Sequence, residues 1–161
     1  MKKTIKEAMK HVNFLQQQIS SLLQEESNTN YIIYSNENDK ETSDFDFENL
    51  NADIEVLNKE ILNIRSIINK KNQEVKVGIE DYTISDALIR IAQLTALSER
   101  FEHLGSYKQK TRQTTYNGSI EYTEYLYDVK KAQSLHLETV EKIHALQPAV
   151  DKANILTEIE L

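Results

Sequence analysis

Glu141-Lys142-Ile143-His144 places a carboxylate and an imidazole three residues apart on what reads as a helix. That is half of the set with which a helical bundle holds a pair of metal ions. A whole site of this kind needs a second Glu-x-x-His and two further inward-pointing glutamates. The sequence offers instead Glu99 and His103, a pair four apart, and Glu141 falls off the apolar stripe that carries Ile143. Surface salt-bridging is the reading this spacing supports, and no metal ligand is assigned. His136 does occupy a stripe position. Two readings stay open for it: a hydrogen-bonded histidine between helices, or a pH-sensitive element of their packing. For nucleophilic catalysis there is no Cys, no Gly-x-Ser-x-Gly and no His–acid–Ser set on turns. No catalytic residue and no cofactor are expected, although helical scaffolds do host reactions.

The other chemistry lies in residues 107–127. Tyr107, Tyr116, Tyr122, Tyr125 and Tyr127, five of the eight tyrosines, interleave with Lys108, Lys110 and Arg112. Such a mixture suits a single-stranded nucleic acid or another anionic ligand. It equally suits an exposed hairpin, because Tyr and Thr favour strands. Composition weighs against nucleic acid: 19 Lys and Arg face 26 Asp and Glu, for a formal charge of −7. The 161 residues, with three Gly, one Pro, no Cys and no Trp, predict one helical domain over 1–161. They exclude disulfide frameworks, iron–sulfur and Cys-type zinc sites, and leave little material for a phosphate-cradling loop. The basic start is interrupted by Glu7, Lys10 and His11 before any secretory-type apolar run, and no window approaches ~18 apolar residues. Cytoplasm is the expected location.

Four periodic segments must position these residues. Ile5, Ala8, Val12, Leu15, Ile19 and Leu22 step by three and four, predicting a helix over about 3–25 with a narrow seam. Phe47, Leu50, Ile54, Leu57, Ile61, Ile64 and Ile68 repeat the pattern over about 47–72. Between them, 26–46 reads as a loop, acidic and mobile from about 35. Within it, Tyr31-Ile32-Ile33-Tyr34 is a short strand or an end cap. Thr83 with Asp86 marks a helix start, and a wider face from Ile84 to Leu104 predicts a central helix over 84–104 with Gly105 as its C-cap. Val75, Val77 and Ile79 alternate ahead of it, as in a short strand. Asn117-Gly118 predicts a type I′ hairpin over about 111–126, with φ > 0 at both residues. The ribbon is expected to lie on the bundle or on another subunit, because two strands alone are marginal in water. A last helix over about 128–156 should kink or restart at Pro148.

Three stretches carry a family likeness: Ile68-Asn69-Lys70-Lys71-Asn72, Thr83-Ile84-Ser85-Asp86-Ala87-Leu88-Ile89-Arg90 and Asn154-Ile155-Leu156-Thr157-Glu158-Ile159. Over roughly residues 60–161 the chain resembles the septicolysin-like family of small, mainly helical bacterial proteins. That resemblance implies a helical fold without established enzyme chemistry, and it transfers no site residues.

The expected fold is therefore mainly α: long antiparallel helices in a coiled-coil-like bundle with one inserted β-hairpin. The expected function is non-enzymatic, through homo-oligomerisation and binding of a protein partner. Candidate contact residues are the five tyrosines with Lys108, Lys110 and Arg112, and the seam positions Ile5, Val12, Leu15, Ile54, Leu57 and Ile61. A membrane-active, cytolysin-like protein is the second reading. It would bind anionic lipid through the first helix, where Lys2, Lys3, Lys6 and Lys10 accompany the apolar seam.

Overall fold

A computed structural model describes residues 1–161. The chain is mainly α-helical, with long antiparallel helices and one inserted β-hairpin. It divides into two compact units, Met1–Asn72 with Asn154–Leu161, and Gln73–Ala153.

The first unit begins with a strand rather than a helix. β1 (Lys2–Thr4) pairs antiparallel with β4 (Glu158–Glu160) in the register Lys2↔Glu160, Lys3↔Ile159, Thr4↔Glu158. Basic residues on one strand meet acidic ones on the other, and Lys2 lies 3.7 Å from Glu158. α1 (Ile5–Thr29) starts at Ile5 because Thr4 caps it. The Thr4 hydroxyl accepts from the Glu7 N–H at 3.2 Å, and the Glu7 carboxylate accepts from the Thr4 N–H at 2.8 Å. The helix also outruns its expected end. Ser27 and Thr29 return their hydroxyls to the carbonyls of Gln24 and Glu25, both at 2.8 Å, so the polar residues expected to open a loop instead finish a helix.

The chain then passes through Tyr31–Tyr34, which forms no regular structure, and a short 3₁₀ turn, Glu37–Asp39. The strand or cap expected there is absent, and Ile33 is 89% exposed. α2 (Phe47–Glu74) follows, with the Asp46 carboxylate accepting from the Asn49 N–H at 3.0 Å. α1 and α2 run antiparallel. His11 meets Glu60 at 3.0 Å, and Leu22 to Thr29 share a cleft with Asp46 to Asp53. Ile5, Ala8, Val12 and Leu15 are buried, as are Ile64 and Ile68 of α2 and Ile159 of β4. Full burial of a side chain such as Ile5 contributes about 1.5–3 kcal/mol.

The second unit opens with a tight loop. Instead of the expected strand, there is a single bridge between Lys76 and Thr83, closed by Val77 N–H to Tyr82 C=O at 3.0 Å. α3 (Ile84–Gly105) is capped by Thr83 and Asp86, as their spacing predicts. β2 (Lys110–Thr114) and β3 (Ile120–Glu124) form the hairpin, and α4 (Val129–Leu156) returns antiparallel to α3. Two contacts fix that direction. The Gln133 amide donates to the Gly105 carbonyl at 2.7 Å, and His136 Nδ1 meets the Ser98 hydroxyl and carbonyl, each at 3.1 Å.

Two expectations change here. Gly105 is the last helical residue, not a left-handed cap. A Cβ there would stand 2.8 Å from Gln133 Cγ, so the glycine permits close approach of α4. Pro148 does not restart the last helix, which runs through it on an exposed face where the ring and the freed carbonyl can turn to water.

Candidate interaction surface

The hairpin is built differently from a type I′ turn. Gly118 has φ 83°, while Asn117 stays at negative φ, so Tyr116, Asn117 and Gly118 form a three-residue loop. Gly118 N–H donates to Thr115 C=O at 2.9 Å, and Thr115 N–H to Ser119 C=O at 2.8 Å. This is a tight turn followed by a left-handed glycine, the second common hairpin solution. The Asn117 side chain makes it possible by accepting from the hydroxyls of Thr115 and Ser119. Tyr116 is carried to the tip and is fully exposed.

Cross-strand pairs share a face, so the register divides the ribbon. Lys110, Arg112 and Thr114 stand opposite Glu124, Tyr122 and Ile120 on one side. Thr111 and Gln113 face Thr123 and Glu121 on the other. On the first side Lys110 pairs with Glu124 at 3.4 Å and lies 5.4 Å above the Tyr122 ring. Every residue of both strands is exposed.

The base of the ribbon is the opposite case. Tyr107 and Tyr125 stack at 4.5 Å, Tyr127 tilts against Tyr125 at 5.7 Å, and His103 packs edge-on to Tyr107 at 5.3 Å. The Tyr127 hydroxyl donates to Leu104 C=O at 2.8 Å, satisfying a carbonyl that the end of α3 leaves open. Burial, and then the neighbouring Tyr125 and Tyr107, push the Tyr127 hydroxyl above the ordinary tyrosine range. Gln109 ties this region together. Its amide donates to the carbonyls of Tyr125 and Tyr127 at 2.7 and 2.8 Å, and its oxygen accepts from Val129 N–H at 3.0 Å.

The expected contact residues thus separate by place. Tyr116, Tyr122, Lys108, Lys110 and Arg112 are exposed on or beside the ribbon, whereas Tyr107, Tyr125 and Tyr127 are half-buried in its base. Of the seam positions, Ile5, Val12 and Leu15 are core residues, and Ile54, Leu57 and Ile61 are half-buried. The apolar stripe that a lipid-binding first helix would present is therefore covered from Ile5 to Leu15. No helix is long and apolar enough to cross a membrane. His136 takes the place of a hydrogen-bonded residue between α3 and α4, while Glu99, His103, Glu141 and His144 lie on exposed positions. No three His, Asp or Glu side chains converge as metal ligands.

The fold occurs elsewhere. A crystal structure of a functionally unknown conserved protein from Corynebacterium diphtheriae matches over 99% of this chain and 100% of that one, with a TM-score of 0.74 and 17% identity. Identity at this level shows a shared fold alone. No family model and no curated protein matches the sequence.

Sequence reasoning passed over Gln109 and Gln133. A glutamine beside a strand or on a helix has no spacing signature, and its value here depends on carbonyls 16 to 28 residues away. For Gln109, its place just after Gly105 and within the tyrosine-rich segment was a usable signal; for Gln133 there was none.

Proposed function

We propose that this protein is a non-enzymatic interaction module that self-associates and docks a protein partner through the β2–β3 ribbon. The observation that carries this reading is the exposure of every residue in both strands. Two strands alone are marginally stable in water, and each free edge displays unpaired backbone donors and acceptors. A ribbon held at its base and uncovered along its length gains most from a further strand or a covering face. The side bearing Ile120, Tyr122 and Arg112 supplies apolar area with a charged rim, in which Lys110 is paired to Glu124, as interfaces do.

Kinship with septicolysin-like proteins and residence in the cytoplasm belong to the same proposal. The kinship is supported by Thr83 and Asp86, which form the α3 cap, and by the stretch 154–159, which leads from α4 into β4.

Light scattering on a size-exclusion column at two protein concentrations tests the assembly. A multiple of 18.7 kDa is expected, unchanged on dilution. Tyr122→Glu, a change on an exposed strand, should yield a monomer with unaltered helical circular dichroism. A wild-type monomer at both concentrations overturns self-association.

A further inference from the structure

A cavity in the second unit is not used by the ribbon. It measures about 110 Å³ and is floored by Leu94 and Leu146, which are almost fully buried. Tyr82, Glu80, Arg90 and Lys142 surround its mouth.

The backbone beside it is strained. Glu80 has φ 44°, the only non-glycine residue of the chain at positive φ. It sits in a turn closed by Tyr82 N–H to Ile79 C=O at 3.2 Å, where glycine or asparagine would be the unstrained choice. Such outliers persist where the surrounding structure holds them, and they cluster at ligand sites. The Glu80 carboxylate, and then burial, push the Tyr82 hydroxyl above the ordinary tyrosine range, while Arg90 acts in the opposite sense. Arg90 is fixed further by donating to Gln93 at 3.2 Å.

Charge selects the ligand class. Arg90 and Lys142 form no ion pair with a carboxylate. With Glu80 they leave one net positive charge at the mouth, in a chain of −7. A single anionic group neutralises it. Below that mouth the floor is aliphatic, so an inorganic anion would leave Leu94 and Leu146 uncovered, and a neutral ligand would leave the cations uncompensated. The volume equals roughly four waters at ~30 Å³ each, room for about four to seven heavy atoms. Drug-sized sites begin near ~300 Å³.

We propose that this cavity binds a small organic monocarboxylate, its charged end between Arg90 and Lys142 and its short alkyl tail on Leu94 and Leu146. Tyr82, beside Glu80 in the lining, is the positioning residue of the mouth.

Titration calorimetry of the full chain with butyrate as the probe tests the site. Saturable binding at one site per chain is expected, at least tenfold weaker for butyramide and for inorganic phosphate. Lys142→Met, on an exposed position, should weaken butyrate at least tenfold, and Ala145→Phe, which fills the cavity from its rim, should abolish binding. Lys131→Met, exposed on α4 away from the cavity, should leave it unchanged. The proposal is overturned if wild type shows no saturable butyrate binding, or if Lys142→Met binds as wild type does. Butyramide or phosphate binding as tightly as butyrate overturns it equally.

Discussion

The rings of Tyr107 and Tyr125 stack with centroids 4.5 Å apart and planes 25° from parallel, joining the segment that enters the ribbon to the segment that leaves it. The ribbon is thereby clamped at one end while its strands stay exposed. Order in the strands depends on the clamp rather than on a covering layer.

Gln109 is the hydrogen-bonding half of that clamp. Gln109→Leu leaves two carbonyls and the Val129 N–H without their partner. Only the Val129 bond is part-buried while the two carbonyl bonds are exposed, so a cost of about 1 kcal/mol is expected. Urea denaturation measures it. Amide exchange should quicken across 110–124 more than in the centres of α3 and α4, and uniform protection loss would contradict the clamp.

Gly105→Ala weighs two effects of opposite sign. Helix propensity gains at most about 1 kcal/mol. Against it, the new Cβ stands 2.8 Å from Gln133 Cγ and 3.3 Å from the Gln133 backbone nitrogen, and the Gln133 amide is tied to the Gly105 carbonyl. Overpacking of this kind costs about 1–3 kcal/mol, so destabilisation is expected. In a Gln133→Ala background the penalty should shrink, because Cγ is gone. Thermal melts of the four-member cycle read the difference.

Two caps predict the acid limb of stability. Hydrogen bonds from the Thr4 backbone and hydroxyl hold Glu7 below the usual carboxylate value, and the Thr83 hydroxyl and backbone do the same for Asp86. A carboxylate lowered by folding binds its proton more readily when unfolded. Its contribution is complete above the unfolded value, about 4.5 for Glu7, and is lost as pH falls through the folded one. Melts of Glu7→Gln/Asp86→Asn between pH 2.5 and 7 should show a lower Tm at neutral pH and a flatter decline below about pH 4.5. A decline parallel to wild type would refute the role of these caps.

Glu80→Gly should relieve left-handed strain of about 1–2 kcal/mol, removing only an exposed carboxylate. A raised midpoint in urea is expected, alongside weaker butyrate binding if the mouth loses its shape. A lowered midpoint would mean that the turn is not strained.

Much of the fold was legible because it is local. Steps of three and four placed α1 to α4, and Thr83 with Asp86 marked a cap that forms as its spacing requires. The tyrosine-rich segment was recognisable as a hairpin. Its turn type was not, because the choice between two loops rests on how the Asn117 side chain bonds Thr115 and Ser119. The Thr4-x-x-Glu7 cap was equally readable, since it stands directly ahead of the stripe that begins at Ile5.

The sequence by itself determined the helices, the position of the hairpin and the acidic balance, since each follows from neighbours within a turn or two of chain. Tertiary structure alone decided that Lys2–Thr4 pairs with Glu158–Glu160, that Gly105 serves close approach to Gln133, and that Tyr107, Tyr125 and Tyr127 are a base while Tyr116 and Tyr122 stand free. It also decided that Arg90 of α3 and Lys142 of α4 share a cavity. These relations join residues tens of positions apart, where no local period records the partner, and the packing of one element on another settles which side chains meet.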